Sequence, residues 1–166
     1  LQQSLAITRE IGDHKTESST LNNISTIYYA HADYEAALTC LQQALKIDRE
    51  IGDRQGEGTT LNNLSQIFQA RGDYEAELDY LKQSLVITRK IGDRLIEGTT
   101  LNNISLIFQD RGDYDTALSY LQQSLEISRK IDDLAGLCAK LFNMGAIYVQ
   151  KGDKQQAMAS WVKAYQ

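Results

Sequence analysis

One interval governs this chain: residues forty apart match from end to end. Leu1, Leu41, Leu81 and Leu121 are followed at the same step by Trp161. Ile7, Ile47, Ile87 and Ile127 keep the interval, as do Arg9, Arg49, Arg89 and Arg129. So do Leu21, Leu61, Leu101 and Leu141, and Asp33, Asp73, Asp113 and Asp153. No insertion interrupts the ruler. Self-similarity at a fixed period marks a repeat architecture, in which each unit buries its apolar face only by stacking on its neighbours.

Within a unit the pattern is helical twice over. Leu61, Leu64, Ile67 and Phe68 fall on one helix face, and Leu78, Leu81, Leu85, Ile87 and Ile91 mark another. Between the two segments, "RGDY" (Arg71–Tyr74) is a turn, with Gly72 free to take positive φ and Asp73 placed to cap the next helix. "IGDR" (Ile91–Arg94) closes the second segment in the same way, with Asp13, Asp53, Asp93 and Asp133 as caps. Each repeat therefore reads as helix A, tight turn, helix B, tight turn, with neighbours antiparallel. The expected division is a partial repeat at 1–12 holding helix B alone, then repeats at 13–52, 53–92 and 93–132, and a truncated one at 133–166. The chain opens in a helix B (Leu1–Ile11) and stops in one (Gln155–Gln166). It begins with Leu, so a fragment of a longer chain is expected, with end-to-end association through uncapped repeats or a missing neighbour.

Bulk properties narrow the partner classes. The net charge is −5 with Lys and Arg scattered among Asp and Glu, so no basic stripe invites nucleic acid. No apolar run is long enough to span a bilayer, so no membrane association is expected. Cys40 and Cys138 are too few for a disulfide framework or a zinc site and read as buried or half-buried apolar residues in a reducing, cytoplasmic setting. Catalysis finds no purchase. His14 and His31 sit near turns, and no Ser-His-Asp grouping, metal-ligand spacing or phosphate-cradling loop occurs. No enzyme activity, metal or cofactor is expected.

The motif "L-S-x-I-F-x-x-R-G-D-Y-x-A-x-L-x-Y-L-x-x-S-L" resembles the tetratricopeptide repeat (TPR) family over the whole chain. In one unit Leu64, Ser65, Phe68, Gly72, Tyr74, Leu78, Leu81 and Ser84 sit on it. Ala37, Ala117 and Ala157 supply the small residue where helices A and B cross, whereas Glu77 departs, implying a looser crossing or a side chain tilted to solvent. The last repeat departs at Lys154, Asp132 and Gly145. The forty-residue spacing and the missing terminal Pro are similar to the long-repeat branch of kinesin light chains and Pins-type spindle-orientation adaptors. The resemblance implies an all-α fold, a right-handed α-solenoid of antiparallel helix pairs, with helix A lining a concave groove.

The doublets of "STLNN" and "TTLNN" then acquire a place. Asn62 and Asn63 follow the core residue Leu61, and Asn62 lies about 100° round the helix from it. The resemblance puts the groove wall at Asn22, Asn23 and Tyr29; at Asn62, Asn63, Gln66 and Gln69; at Asn102, Asn103, Leu106 and Gln109; and at Phe142 and Asn143. An amide can pair with both the N–H and the C=O of an extended peptide. Asn22, Asn62 and Asn102 are the expected ligand contacts. Asn23, Asn63, Asn103 and Asn143 either join them or brace adjacent repeats. The carboxylate clamp of chaperone-docking members is not expected, because its Lys and Arg positions hold Asn, Thr, Gln and Ser here. The arginine column at 9, 49, 89 and 129 suits helix C-termini and pairing with nearby acids. The expected function is a protein-interaction scaffold holding a peptide or protein segment in its groove. The alternatives are a regulatory or sensor array of a larger signalling protein and a self-associating spacer.

Overall fold

The structure, a computed structural model, describes residues 2–164. Among them are α1 (Gln2–Ile11), α2 (His14–Ala30), α3 (Tyr34–Ile51), α4 (Arg54–Ala70) and α5 (Tyr74–Ile91). These are followed by α6 (Arg94–Asp110), α7 (Tyr114–Lys130), α8 (Leu134–Gln150) and α9 (Lys154–Ala164), and no strand occurs among the described residues. The fold is all-α, built of antiparallel helix pairs. Leu1, the first rung of the forty-residue ladder, and the last two residues of the helix expected at 155–166 lie outside the described residues.

Caps explain where the helices start and stop. The carboxylates of Asp13, Asp53 and Asp133 accept from the backbone N–H groups of Thr16, Gly56 and Gly136, and Asp33, Asp73, Asp93, Asp113 and Asp153 cap likewise. Each satisfies one of the orphan donors of a first helical turn. Gly52 and Gly92 end α3 and α5 at φ 71° and 74°. Two positions take the same left-handed conformation without glycine, Ala32 at φ 58° and Asp132 at φ 55°.

The chain divides into two compact units, Leu1–Gly92 and Asp93–Gln166. In the first, Ala37, Leu41, Leu45, Leu61, Leu64 and Ile67 form a buried cluster. In the second, Ala117, Leu121 and Ile147 do so, flanked by Phe108, Tyr114 and Met144. Aromatic pairs zip two of the hairpins, with Phe68 stacked on Tyr80 at 5.1 Å and Phe108 on Tyr120 at 5.6 Å between ring centroids.

Four expectations need correction. Ile91 is exposed, because it ends α5 against a turn rather than against a neighbouring helix. Glu77 does not reach solvent: it is 2% exposed, held at the crossing position that Ala37 and Ala117 occupy elsewhere. Cys138 is exposed, while Cys40 is half-buried as expected. Gly145, read as a simple departure from Ser, makes room for a large ring. A Cβ there would lie 2.1 Å from Nε1 of Trp161, the residue that replaces the ladder leucine.

Candidate functional site

The A helices α2, α4 and α6 carry the polar doublets, α8 has Phe142 and Asn143 in their place, and the side chains divide into inward and outward sets. In the first unit Asn22 Nδ2 donates to Thr60 Oγ1 at 2.9 Å and to the Ser18 carbonyl at 3.2 Å. Asn63 Nδ2 donates to Asn22 Oδ1 at 2.8 Å. Asn62 is 7% exposed, and its Nδ2 donates to Ser84 Oγ at 2.7 Å and to the Gly58 carbonyl at 3.2 Å. The step from Leu61 turns Asn62 toward α5, not away from it, so its amide braces the helix pair instead of standing open. Asn23, Gln66 and Gln69 are exposed. Tyr29 is half-buried, 5.6 Å from Tyr34.

The second unit repeats the brace. Asn143 Nδ2 donates to Asn102 Oδ1 at 3.2 Å, and Gln109 Nε2 donates to Gln150 Oε1 at 2.9 Å. Asn102, Asn103, Leu106 and Gln109 are half-buried. Phe142 is 59% exposed, its ring 6.1 Å from that of Trp161, whose Nε1 donates to the Phe142 carbonyl at 3.2 Å. Val149 is exposed two turns further along the same face of α8. The outward faces therefore differ, with free amides in the first unit and apolar side chains in the second.

Sequence reasoning missed a buried carboxylate beneath the first doublet. Asp48, near the end of α3, is 1% exposed. Its Oδ1 accepts from Ser18 Oγ at 2.5 Å and its Oδ2 from Thr60 Oγ1 at 2.8 Å. Burial pushes the Asp48 carboxyl above the usual range; the two hydroxyls oppose this, and the charges of Asp53 and Glu57 add to it. The signal lay in the same ruler, since the column at 8, 48, 88 and 128 reads Thr, Asp, Thr, Ser. Lys140 mirrors it in the second unit. It stands where the other repeats hold Thr20, Thr60 and Thr100, is buried, and donates from Nζ to Ser128 Oγ at 2.8 Å. Burial lowers its pKa, with Asp133 opposing.

The arginine column is structural where its contacts are resolved. Arg9 Nε meets Glu17 Oε1 and Arg49 Nε meets Glu57 Oε1, each at 2.8 Å. Glu57 also accepts from Arg54 Nη1 at 2.5 Å. Arg71 and Lys151, at the ends of α4 and α8, pair with Glu35 and Asp115. Among the described residues no group of three or more His, Cys, Asp or Glu could hold a metal ion, and no helix is long and apolar enough to cross a membrane.

Comparison with known proteins agrees with this geometry. A family model described as tetratricopeptide repeat matches residues 1–50, 18–90 and 96–164. No curated protein matches. Among solved structures, BtubC (BKLC) from P. vanneervenii superposes with a TM-score of 0.81 at 23% identity, over 92% of this chain and 63% of its own. A Rap protein complexed with competence and sporulation factor gives 0.76 at 17%, over 90% of this chain and 42% of its own. The Signal Transduction ATPase with Numerous Domains protein from Pyrococcus horikoshii, which has a tetratricopeptide repeat sensor, gives 0.77 at 21%, over 99% and 25%. The chain thus spans less than two thirds of the length of these proteins, and the likeness is one of fold.

Proposed function

This chain belongs to the tetratricopeptide repeat family, and on that premise we propose that it is an interaction scaffold that holds an extended peptide or protein segment along the exposed faces of its A helices. One observation carries the reading. The side-chain amides of Asn23, Gln66 and Gln69 are exposed and make no hydrogen bond among the described residues, although the neighbouring amides of Asn22, Asn62 and Asn63 are all engaged. Free amides on a preformed wall can pair with peptide backbone at little ordering cost. In the second unit Phe142, Leu106 and Val149 would select apolar side chains, with Asn103 and Gln109 beside them. Asn22, Asn62 and Asn63 would shape the wall of the first unit from behind, and Asn102 and Asn143 that of the second. The repeats at 13–52 and 53–92 would carry the wall of the first unit, and those at 93–132 and 133–166 that of the second. The family's binding role and the Rap complex support the class of partner. Two free cysteines suit a reducing, cytoplasmic setting, and the chain's chemistry is binding, not catalysis.

Selection from a random peptide library tests this. Selected peptides should bind several-fold more weakly to Asn23→Ala/Gln66→Ala and to Phe142→Ala, with helical content unchanged. Retention of full affinity in both variants would defeat the proposal.

A second reading, end-to-end association, draws on the apolar side chains exposed on the outermost described helices. Ile7 and Ile11 stand out on α1, and Met158 and Val162 on α9. Sedimentation velocity over a hundredfold range of concentration decides it; a monomer throughout removes this reading.

A further inference from the structure

Asp48 is a charge that the fold does not require. Its place is filled by Thr8, Thr88 and Ser128 in the other repeats, so a hydroxyl serves the packing there. Ser128 meets the buried Lys140 with only a hydroxyl. A lone buried carboxylate is unfavourable unless a cation or several donors answer it. Each oxygen of Asp48 takes a single hydroxyl hydrogen bond, which leaves lone pairs on both.

Asp48, although buried, borders a cleft. A cleft of about 300 Å³ opens between α2 and α4, lined by Lys15, Ser19, Asn23, Asp53 and Thr59, with Asp48 at its floor. Space at the floor depends on Gly56, where a Cβ would come within 2.8 Å of Asp48 Oδ1. The other charges nearby already have partners. Lys15 Nζ lies 3.2 Å from Asp53 at the rim, and Glu57 is held between Arg49 and Arg54. The carboxylate of Asp48 is thus the uncompensated charge of the cleft. Asn23, one of the free amides of the proposed peptide wall, stands beside the opening.

We propose that this cleft receives a cationic side chain, lysine or arginine, of the bound segment, with Asp48 as its counter-charge. The inference rests on the peptide-scaffold reading and adds to it a position-specific preference. An ammonium or guanidinium entering beside Asn23 would use the vacant lone pairs of Asp48 while Asn23 holds adjacent backbone. Low local dielectric strengthens the pair. In the second unit a buried cation, Lys140, already lies against Ser128, the residue that matches Asp48, so a second cation is disfavoured there.

The test uses two probes, the nonapeptide acetyl-SASAKASAS-amide and its analogue with norleucine in place of lysine. Both are titrated into the ¹⁵N-labelled chain and followed by NMR. The lysine peptide should bind about tenfold more tightly, the worth of one charge-assisted hydrogen bond. It should shift the amides of Ser18, Gly56 and Thr59, and the preference should fade with added salt. Asp48→Thr, which installs the residue found at Thr8 and Thr88 in the same column, should abolish the difference. Equal binding of the two peptides to the parent chain overturns this inference and leaves the scaffold reading intact. So does an undiminished lysine preference in Asp48→Thr. Failure of both peptides to bind overturns it as well, while the library selection still judges the scaffold.

Discussion

Asn63 donates its side-chain amide to Oδ1 of Asn22, forty-one residues earlier, and Asn143 does the same to Asn102. The two members of the doublet are therefore complementary halves of one bond, made between successive repeats instead of within one. Asn63→Ala removes the donor and leaves the half-buried Asn22 oxygen short of a partner, at about 1 kcal/mol. A fall in thermal midpoint should report it. Asn23→Ala, at the residue next to Asn22 and exposed, should change stability by less than about 0.5 kcal/mol.

Asn62→Ala should be more damaging. Its amide answers Ser84 Oγ and the Gly58 carbonyl inside the α4–α5 pair, so truncation strands buried polar atoms at roughly 1–3 kcal/mol. Denaturant unfolding of this variant beside Gln66→Ala separates brace from wall. The first should lower the midpoint, the second should not. Equal effects would contradict the assignment.

Gly145 and Trp161 should behave as a coupled pair. Gly145→Ser restores the residue of Ser65 and Ser105 but drives a Cβ into the indole, an overpacking worth about 2 kcal/mol. Trp161→Leu restores the ladder residue and opens space. The double variant should recover most of the loss, and a double-mutant cycle that proved additive would refute the coupling.

Ala32→Gly should stabilise. Ala32 holds φ 58° where Gly72, Gly112 and Gly152 hold the same turn, and a β-carbon in that region is strained by about 1 kcal/mol. The gain is partly offset by the greater freedom of glycine in the unfolded chain. A thermal midpoint unchanged or lowered by the substitution would go against the strain argument.

Acid should act on Glu57. Burial pushes its carboxyl up, but hydrogen bonds and charge from Arg49 and Arg54 outweigh burial and hold it below 4.5. A depressed folded pKa gives stability that is present above the unfolded value and lost as pH falls through the folded one. Glu57→Gln should lower the thermal midpoint at pH 7 and flatten its decline below about pH 4.5. Asp48 has the opposite sign. Its raised pKa favours the folded state below 3.8 and loses that contribution as pH rises through the folded value, so Asp48→Thr should help more at pH 7 than at pH 3.

Periodicity made the helices legible, because the caps Asp13, Asp53, Asp93 and Asp133 and the leucine ladder are local signals. The direction of Asn62 was not legible. A position about 100° from a core leucine faces either a groove or the partner helix, and only packing against α5 decides which. Glu77 shows the same limit from the other side: polarity suggested solvent, whereas its place at a helix crossing buried it. The Phe68–Tyr80 and Phe108–Tyr120 stacks lay twelve residues apart in sequence and needed the hairpin to meet. Asp48 stood in plain view in its column, and its meaning depended on a cleft that no sequence displays.

Asp48 and Lys140 also make the joints of this chain unlike one another. Asp48 draws on Ser18 from the helix before it and Thr60 from the helix after it, while Lys140 sits over Ser128. A unit could be copied or deleted with its backbone register intact, since every step is forty. Its charge could not travel so freely. Transplanting α4 behind a threonine would leave the cleft without its anion, and setting a lysine at the Thr60 position would seal that cleft with a built-in ion pair. In a chain assembled from near-identical parts, these two side chains give the joints they occupy a polarity that the other joints lack.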